Sequence, residues 1–552
     1  MLFASSVICL TLIQPPFGFS PLAWFAFVPF ILTCRTDIKK RKLAIAAYIV
    51  GAFYWLGNLY WVIPVTTWGW AAFCLYTAFL WPAMALSLQY ARRRGFPLAL
   101  SAAVIIVAAE RLQGFFMGGF FWRFLAHSQF HNIPLIQIAD LLGAAGVSFL
   151  IAFANGAIAS LIIASFDRKL RSPRPWLSPT LAVLLIAATL LYGNYRLKQS
   201  EDHVTQGPLA AAVQSNIPQF VKETRDQSEE MFDQMINESE KAILAGAKLV
   251  AWPETMVQGY LNPAVTSLIG EQHQYSIFDK RLKEHTLNRA YLLIGSTAGT
   301  PKVEKDLKIT LTEKFNSAFL YTPQGYQSHS RYDKIHLVPF GEVVPFKKSV
   351  PWLYDLLLFF TPYDHDYSLD YGREMTVFNI TPEENRSYNF GVLICYEDTV
   401  PKLTRHFVVD KNGKKRVDWL INISNDGWFV WFKNDNRIIP TPELPQHTAA
   451  CVFRAVENRI SILRSVNTGI SCLIDSSGII IDDYDAGSLP LTAMKRQGMA
   501  GWIAHKMPID NRVTVFSRFG QWLDACCAIL LVLILIEAIF GLFTRFFAKR
   551  GC

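Results

Sequence analysis

The sequence predicts a chain in two parts: a multi-span α-helical membrane domain, then an α/β domain outside the cytoplasm, closed by one more membrane helix. Three observations predict it. Long apolar runs crowd the first 195 residues, the loops between them alternate between basic and neutral, and the region 207–510 has ordinary soluble composition.

The composition is 51 % hydrophobic and 14 % aromatic over 552 residues, which is high for a soluble protein. Runs of roughly 15 to 25 nearly uncharged residues read as helical spans. They fall near 2–14, 20–34, 43–63, 69–90, 96–113, 134–165 and 176–194, giving a membrane domain at 1–195 with about seven helices. A last span lies at 523–543. The start lacks a basic n-region and an A-x-A site, so it reads as a short first span rather than a cleaved signal.

Orientation follows from the loops. "RTDIKKRK" (35–42), "ARRRG" (91–95), "DRKLRSPR" (167–174) and the tail "TRFFAKR" (544–550) are basic, and the alternate loops carry little or no charge. By the positive-inside rule both termini are cytoplasmic and 207–510 is extracytoplasmic, periplasmic in a Gram-negative cell. The net charge of +9 therefore reports membrane orientation rather than nucleic-acid binding.

Within 207–510, short β-rich runs end in polar residues: 208–217, 248–255, 290–297, 317–325, 391–398, 417–426 and 470–478. Helical patterns at 227–246 and 447–459 separate some of them. Strands alternating with helices predict α/β layers with reactive groups at the strand ends. Nine cysteines show no CxxC or Cys/His metal spacing, so neither a zinc site nor a disulfide framework is indicated, and Cys451 and Cys472 read as packing residues.

Three residues invite chemistry. Cys395 closes the apolar strand of "GVLICYED" beside two acids, and as a nucleophile it needs a nearby base or positive charge. Glu254, in "LVAWPET", follows an apolar strand and Pro253, a position suited to taking and returning a thiol proton. Lys334, in "RYDKIHLVPFGE", could meet a developing oxyanion with fixed charge. Singly, each also reads as ordinary structure: a core cysteine, a turn acid, a snorkelling lysine. The region holds several histidines, His447 among them, none in a context that singles it out.

Together the three segments resemble the Glu-Lys-Cys triad of the nitrilase superfamily. Over nearly its full length the chain is similar to the apolipoprotein N-acyltransferase family. The motifs "FSPLAW" (19–24), "GGFFWRFLAHSQ" (118–129), "VQSNIPQ" (213–219), "WPET", "YDKIHLVPFGEVVPF", "ICYED", "NISNDGWF", "RAVENRISILRSVNTGIS" and "FSRFGQWLDACC" follow in the family's order. The resemblance implies a nitrilase-like α-β-β-α sandwich at 207–510. It implies Cys395 as acyl-accepting nucleophile, Glu254 as general base and Lys334 as oxyanion stabiliser. Glu342 would support the lysine, and Tyr396 and Glu397 would shape the pocket and orient the triad.

It further implies a monomeric bacterial inner-membrane enzyme that needs no metal or cofactor. A phospholipid, preferably phosphatidylethanolamine, would donate its sn-1 acyl chain. A diacylglyceryl-cysteine at an apolipoprotein's amino terminus would receive it. The aromatic-rich stretches 350–360 and 427–432 read either as lids at the membrane interface or as ordinary core packing, which apolar periodicity alone does not separate. Departures from the family pattern fall at Phe121, Ala126, His127, Glu223 and Gly427. The competing readings are a membrane-tethered amidase acting on small amides and a polytopic receptor or transporter. The latter would require paired intramembrane charges, for which Asp140 and Glu537 are the candidates.

Overall fold

The computed structural model describes residues 2–219, 228–305, 309–347, 349–363, 366–383, 386–432 and 437–548, with side chains as far as Glu537 in the last helix. Glu223 and the side chains of the basic tail 544–550 lie outside the described residues. The chain forms two compact units. One comprises Met1–Ile63, Thr67–Lys198 and Phe519–Cys552; the other comprises Pro64–Thr66 and Gln199–Arg518.

The first unit is helical. Among the described residues, three helical stretches, Thr67–Arg93, Ala144–Phe166 and Arg174–His203, are long and apolar enough to cross a membrane. Several predicted spans are interrupted, and prolines or glycines explain why. The run 69–90 is two helices, Thr67–Thr77 and Leu80–Arg93, because Pro82 has no N–H for the carbonyl of Ala78. The run 20–34 is a 3-10 turn at Ser20–Trp24 and a short helix at Val28–Thr33, each with a proline in its first turn. Gly143, at φ +68, parts the short helix Ala139–Leu142 from Ala144–Phe166.

Several charged side chains within this unit are partnered. Arg123 donates to Tyr54 Oη and Leu10 O, both at 3.0 Å. Asp140 accepts from Arg196 and Tyr192 at 2.7 Å, and Glu537 pairs with Arg94.

The second unit is built on strands β1 (Val204–Gln214), β2 (Leu249–Ala251), β3 (Val257–Tyr260), β4 (Tyr291–Val303), β5 (Ile309–Tyr321), β6 (Gln327–Asp333), β7 (Val377–Glu383), β8 (Arg386–Ile394), β9 (Trp419–Asn425), β10 (Trp431–Phe432), β11 (Ile438–Ile439), β12 (Ser461–Asn467), β13 (Cys472–Ile474), β14 (Ile480–Ile481), β15 (Ala486–Gly487) and β16 (Gly501–Asp510). One sheet runs β15-β16-β1-β2-β4-β5-β6 with β3 on β4, and the other runs β14-β13-β12-β9-β8-β7. Pairing is parallel at β1/β2, β2/β4, β8/β9 and β9/β12. Within the parallel centres β1, β2, β4 and β8 carry near-continuous apolar runs, as strands covered on both faces do.

The sheets face each other, stitched where Ser465 Oγ donates to Val213 O and Ala251 O, each at 2.8 Å. Helices Ser228–Leu244 and Gln274–Thr286 cover the first sheet through Phe232, stacked on Phe278 at 4.3 Å and edge-on to Trp252. On the second sheet, Phe407 of helix Pro401–Val408 packs over Gly391 of β8, where any Cβ would collide with it. Helix Glu443–Asn458 is buried along its entire length. The result is helix–sheet–sheet–helix layering. Cys451 and Cys472 are free and buried. Within 350–360, helix Pro351–Leu358 exposes Trp352 and Leu356, and Phe359 follows it exposed.

Candidate active site

Each reactive group stands where a strand has just ended. Glu254 follows β2, in the middle of the first sheet, and Lys334 follows β6 at that sheet's edge. Cys395 follows β8 in the second sheet. Cys395 adopts φ +53, a left-handed conformation that L side chains with a Cβ seldom take, and opens the 3-10 turn Cys395–Thr399. Such a kink stops the strand and turns the thiol out of the ladder, and backbone of this kind is characteristic of functional turns. Asn422 Nδ2 holds the kink by donating to the carbonyls of Leu393 and Cys395 at 3.2 and 3.1 Å.

The base is fixed as firmly. Thr255, at φ +51, turns the chain directly after Glu254. This turn lies so close to β4 that a Cβ on Gly295 would come within 2.6–2.8 Å of Thr255 N, Pro253 O and Glu254 Cα. Glu254 Oε2 accepts from the backbone N–H of Asn425 at 3.0 Å, and its Oε1 accepts from Asn316 Nδ2 at 2.6 Å and Lys334 Nζ at 3.2 Å. Asn316 also donates to Glu342 at 3.0 Å, and Lys334 Nζ lies 2.9 Å from Glu342. Glu342 in turn accepts from Val338 N–H at 2.9 Å. Lys334 is thus an ammonium between two carboxylates. Burial would lower its pKa, but Glu254 and Glu342 prevail and hold it well above the ordinary value.

The thiol lies within reach of these charges. Burial, reinforced by Glu254, pushes the Cys395 pKa up, while Lys334 opposes. A resting thiol beside an immobilised carboxylate suits base-assisted attack rather than a standing thiolate.

Glu397 joins the cysteine turn to the lysine loop. One oxygen accepts from the N–H groups of Ile335 (2.8 Å) and His336 (2.9 Å), the other from Ile394 N–H (2.8 Å), and Tyr332 Oη reaches both at 2.8 Å. It is fully buried, and burial pushes its pKa up to about 7 against these donors. The Tyr396 ring stacks on His336 with centroids 5.6 Å apart.

All six residues singled out from the sequence, Glu254, Lys334, Cys395, Glu342, Tyr396 and Glu397, therefore lie in one connected neighbourhood. Sequence reasoning missed Asn316, Tyr332 and the Asn425 amide, which hold the charged side chains in place. The notable signal for Asn316 is an asparagine in a β-branched and aromatic strand, an uncommon choice there. Among the described residues, Asp426, Glu443 and His447 form a group whose donor atoms lie within 4.8 Å of one another, apart from the triad itself.

Residues 6–157 match the profile of the apolipoprotein N-acyltransferase N-terminal domain, and residues 209–503 match that of carbon-nitrogen hydrolases. An apolipoprotein N-acyltransferase from Geobacter metallireducens is 35 % identical over 86 % of this chain and 85 % of its own length. One from Rhodopseudomonas palustris is 24 % identical over 95 % and 92 %. Among solved structures, an amidase from Nesterenkonia sp. matches 56 % of this chain and 94 % of its own at 15 % identity, with a TM-score of 0.33. The chain belongs to the apolipoprotein N-acyltransferase family, its second unit being a carbon-nitrogen hydrolase domain.

Proposed function

We propose that the protein N-acylates the amino-terminal diacylglyceryl-cysteine of apolipoproteins in two steps, through a thioester on Cys395. Phosphatidylethanolamine is the expected acyl donor, giving up its sn-1 chain. The observation that carries this reading is the buried Glu254–Lys334–Glu342 hub beside a cysteine held in a left-handed kink.

In the first step Glu254 takes the thiol proton as sulfur attacks the ester carbonyl, and Lys334 faces the oxyanion of the tetrahedral intermediate. Collapse expels the lysophospholipid alkoxide, which takes the proton back from Glu254. In the second step the acceptor's neutral α-amine attacks the thioester and Glu254 receives the amine proton. The sulfur then leaves and is reprotonated, so that thiol and amide are the products. Glu342 and Asn316 keep Lys334 and Glu254 from drifting, and Glu397 fixes the lysine loop against the cysteine turn. A buried site also protects the thioester from water.

Both substrates are membrane lipids, which accounts for joining the catalytic unit to apolar helices. With basic loops cytoplasmic, the catalytic unit faces the periplasm of a bacterial inner membrane and both termini are cytoplasmic. The exposed Trp352, Leu356 and Phe359 form an apolar surface fit to touch the interface, as the lid reading of 350–360 requires.

The test is intact-protein mass spectrometry after incubation with phosphatidylethanolamine. Wild type gains one acyl chain that hydroxylamine removes, and Cys395→Ala gains nothing. A wild type that stays unmodified beside an active control enzyme would overturn the reading.

A further inference from the structure

A second ionic cluster lies directly behind the catalytic turns. His447 projects from helix Glu443–Asn458, with Nε2 2.7 Å from Asp398 and Nδ1 3.3 Å from Asp426. Asp398 belongs to the 3-10 turn that begins at Cys395. Asp426 follows Asn425, the residue whose backbone N–H holds Glu254 at 3.0 Å. The imidazole therefore spans the turn carrying the nucleophile and the turn holding the base. We infer that His447 is a positioning residue for the acyl transfer, a strut that fixes the Cys395 turn and the Asn425–Asp426 turn to one rigid helix. This rests on the function proposed above.

The chemistry of the cluster fits a strut. Nε2 hydrogen-bonds Asp398, and the charge of an imidazolium attracts Asp426 as well, which a neutral ring would not. Burial alone would discharge His447, but Asp398 and Asp426 prevail and keep its pKa well above the ordinary value. Asp398 is held low in turn, His447 and Arg464 overcoming the effect of burial. Arg464 of β12 pairs with Asp398 and lies 3.9 Å from Asp426, and Ser424 Oγ donates to Asp426 at 2.7 Å. Glu443 stands 3.4 Å from His447 Nδ1, and burial pushes it up to about 7. His447 and Arg464 thus stand as two cationic side chains among the carboxyl groups of Asp398, Asp426 and Glu443. The helix that carries His447 is buried throughout and cannot yield to strain by moving into solvent.

Geometry is where such a strut acts. Reacting groups must be held in near-attack positions, and a displacement near 1 Å costs on the order of 100-fold in rate. The experiment measures single-turnover thioester formation with phosphatidylethanolamine in the full-length protein, for wild type, His447→Gln, Asp398→Asn and the double variant. The strut predicts that each single variant slows acylation by about 100-fold with the KM for lipid nearly unchanged. It also predicts that the double variant is slowed by far less than the product of the two singles, because both remove the His447–Asp398 link. Wild-type rates in both singles, multiplying effects in the double, or a loss expressed in KM would overturn it. So would a stoichiometric divalent metal in the purified protein. If His447→Gln does not fold, Asp398→Asn and Asp426→Asn keep the side-chain shapes and carry the test, and wild-type rates in both overturn it. A wild type that forms no thioester defeats the proposed function; wild-type-like variants defeat only the strut.

Discussion

The two sheets of the catalytic unit divide the chemistry between them. The first supplies fixed charge, Glu254 after β2 and Lys334 after β6, and a neutral donor, Asn316 on β5. The second supplies the nucleophile, with Cys395 after β8, and the amide of Asn425 at the end of β9. The charged side groups are immobilised by one another, since Lys334 touches both Glu254 and Glu342 and Asn316 bridges the same pair. The nucleophile is immobilised by backbone geometry. Neither half is an active site alone, so the links across the sandwich decide whether base and thiol meet. These links are the Asn425 amide on Glu254, and Glu397 on the loop after Lys334.

The comparison breaks most completely at Lys334. Lys334→Met leaves two carboxylates sharing Asn316 with no buried cation between them. Thioester formation should fall by about 10³-fold from loss of oxyanion stabilisation. Stability should fall by roughly 3–5 kcal/mol, the usual result of removing one partner of a buried ionic group. Single-turnover mass spectrometry and thermal melting in detergent check the two separately.

Asn316→Ala is the next test, because it removes a neutral donor and leaves every charge in place. Hydrogen bonds to charged groups contribute about 1.5–3 kcal/mol, so acylation should slow by roughly 10- to 100-fold with a smaller loss of melting temperature. A rate equal to wild type would show that Lys334 and the backbone N–H groups of Asn425 and Val338 order the carboxylates without it. Gly295→Ala probes the same hub sterically. Its Cβ would press on the backbone of Glu254, and overpacking of this kind costs about 1–3 kcal/mol. Acylation should slow while Cys395 remains open to alkylation by a small iodoacetamide.

The same division explains what the sequence could reveal. "WPET", "YDKIHLVPFGE" and "ICYED" are contiguous motifs that resemble the family's, and that resemblance made the site residues legible; Glu254 and Cys395 also follow apolar strands, whereas Lys334 follows the polar strand β6. Asn316 and Tyr332 were not, because their meaning lies in partners 62 and 65 residues away. Strand β12, "SILRSVN", was missed because Arg464 interrupts its apolar run. That arginine is tolerated in a fully buried strand only because Asp398 meets it from the cysteine turn. In the helical unit, composition located the apolar runs, but their interruptions follow from single prolines and glycines such as Pro82 and Gly143 that a hydropathy average smooths away.

The smallest expected effect concerns pH and isolates the link between the halves. Burial pushes the Glu397 pKa up to about 7 in the folded protein, against an ordinary 4.5. The folded state therefore binds this proton more tightly than the unfolded chain. Between the two values the native state holds the proton while the unfolded state has released it, so stability falls as pH rises through that window. The fall is at most about 3 kcal/mol at roughly 1.4 kcal/mol per pH unit. Glu443, also pushed up to about 7, adds a slope of the same sign in the same window. Glu397→Gln should cost some stability at every pH, since an amide cannot accept from Ile394 N–H as the second carboxylate oxygen does. It should also remove its own share of the slope, leaving that of Glu443. Melting temperatures at pH 5 and pH 7.5 would then differ by about half as much in the variant as in wild type. An unchanged slope would mean that the four donors on Glu397 keep it ionised across the whole range, making the link between the sheets a permanent anion rather than a titrating one.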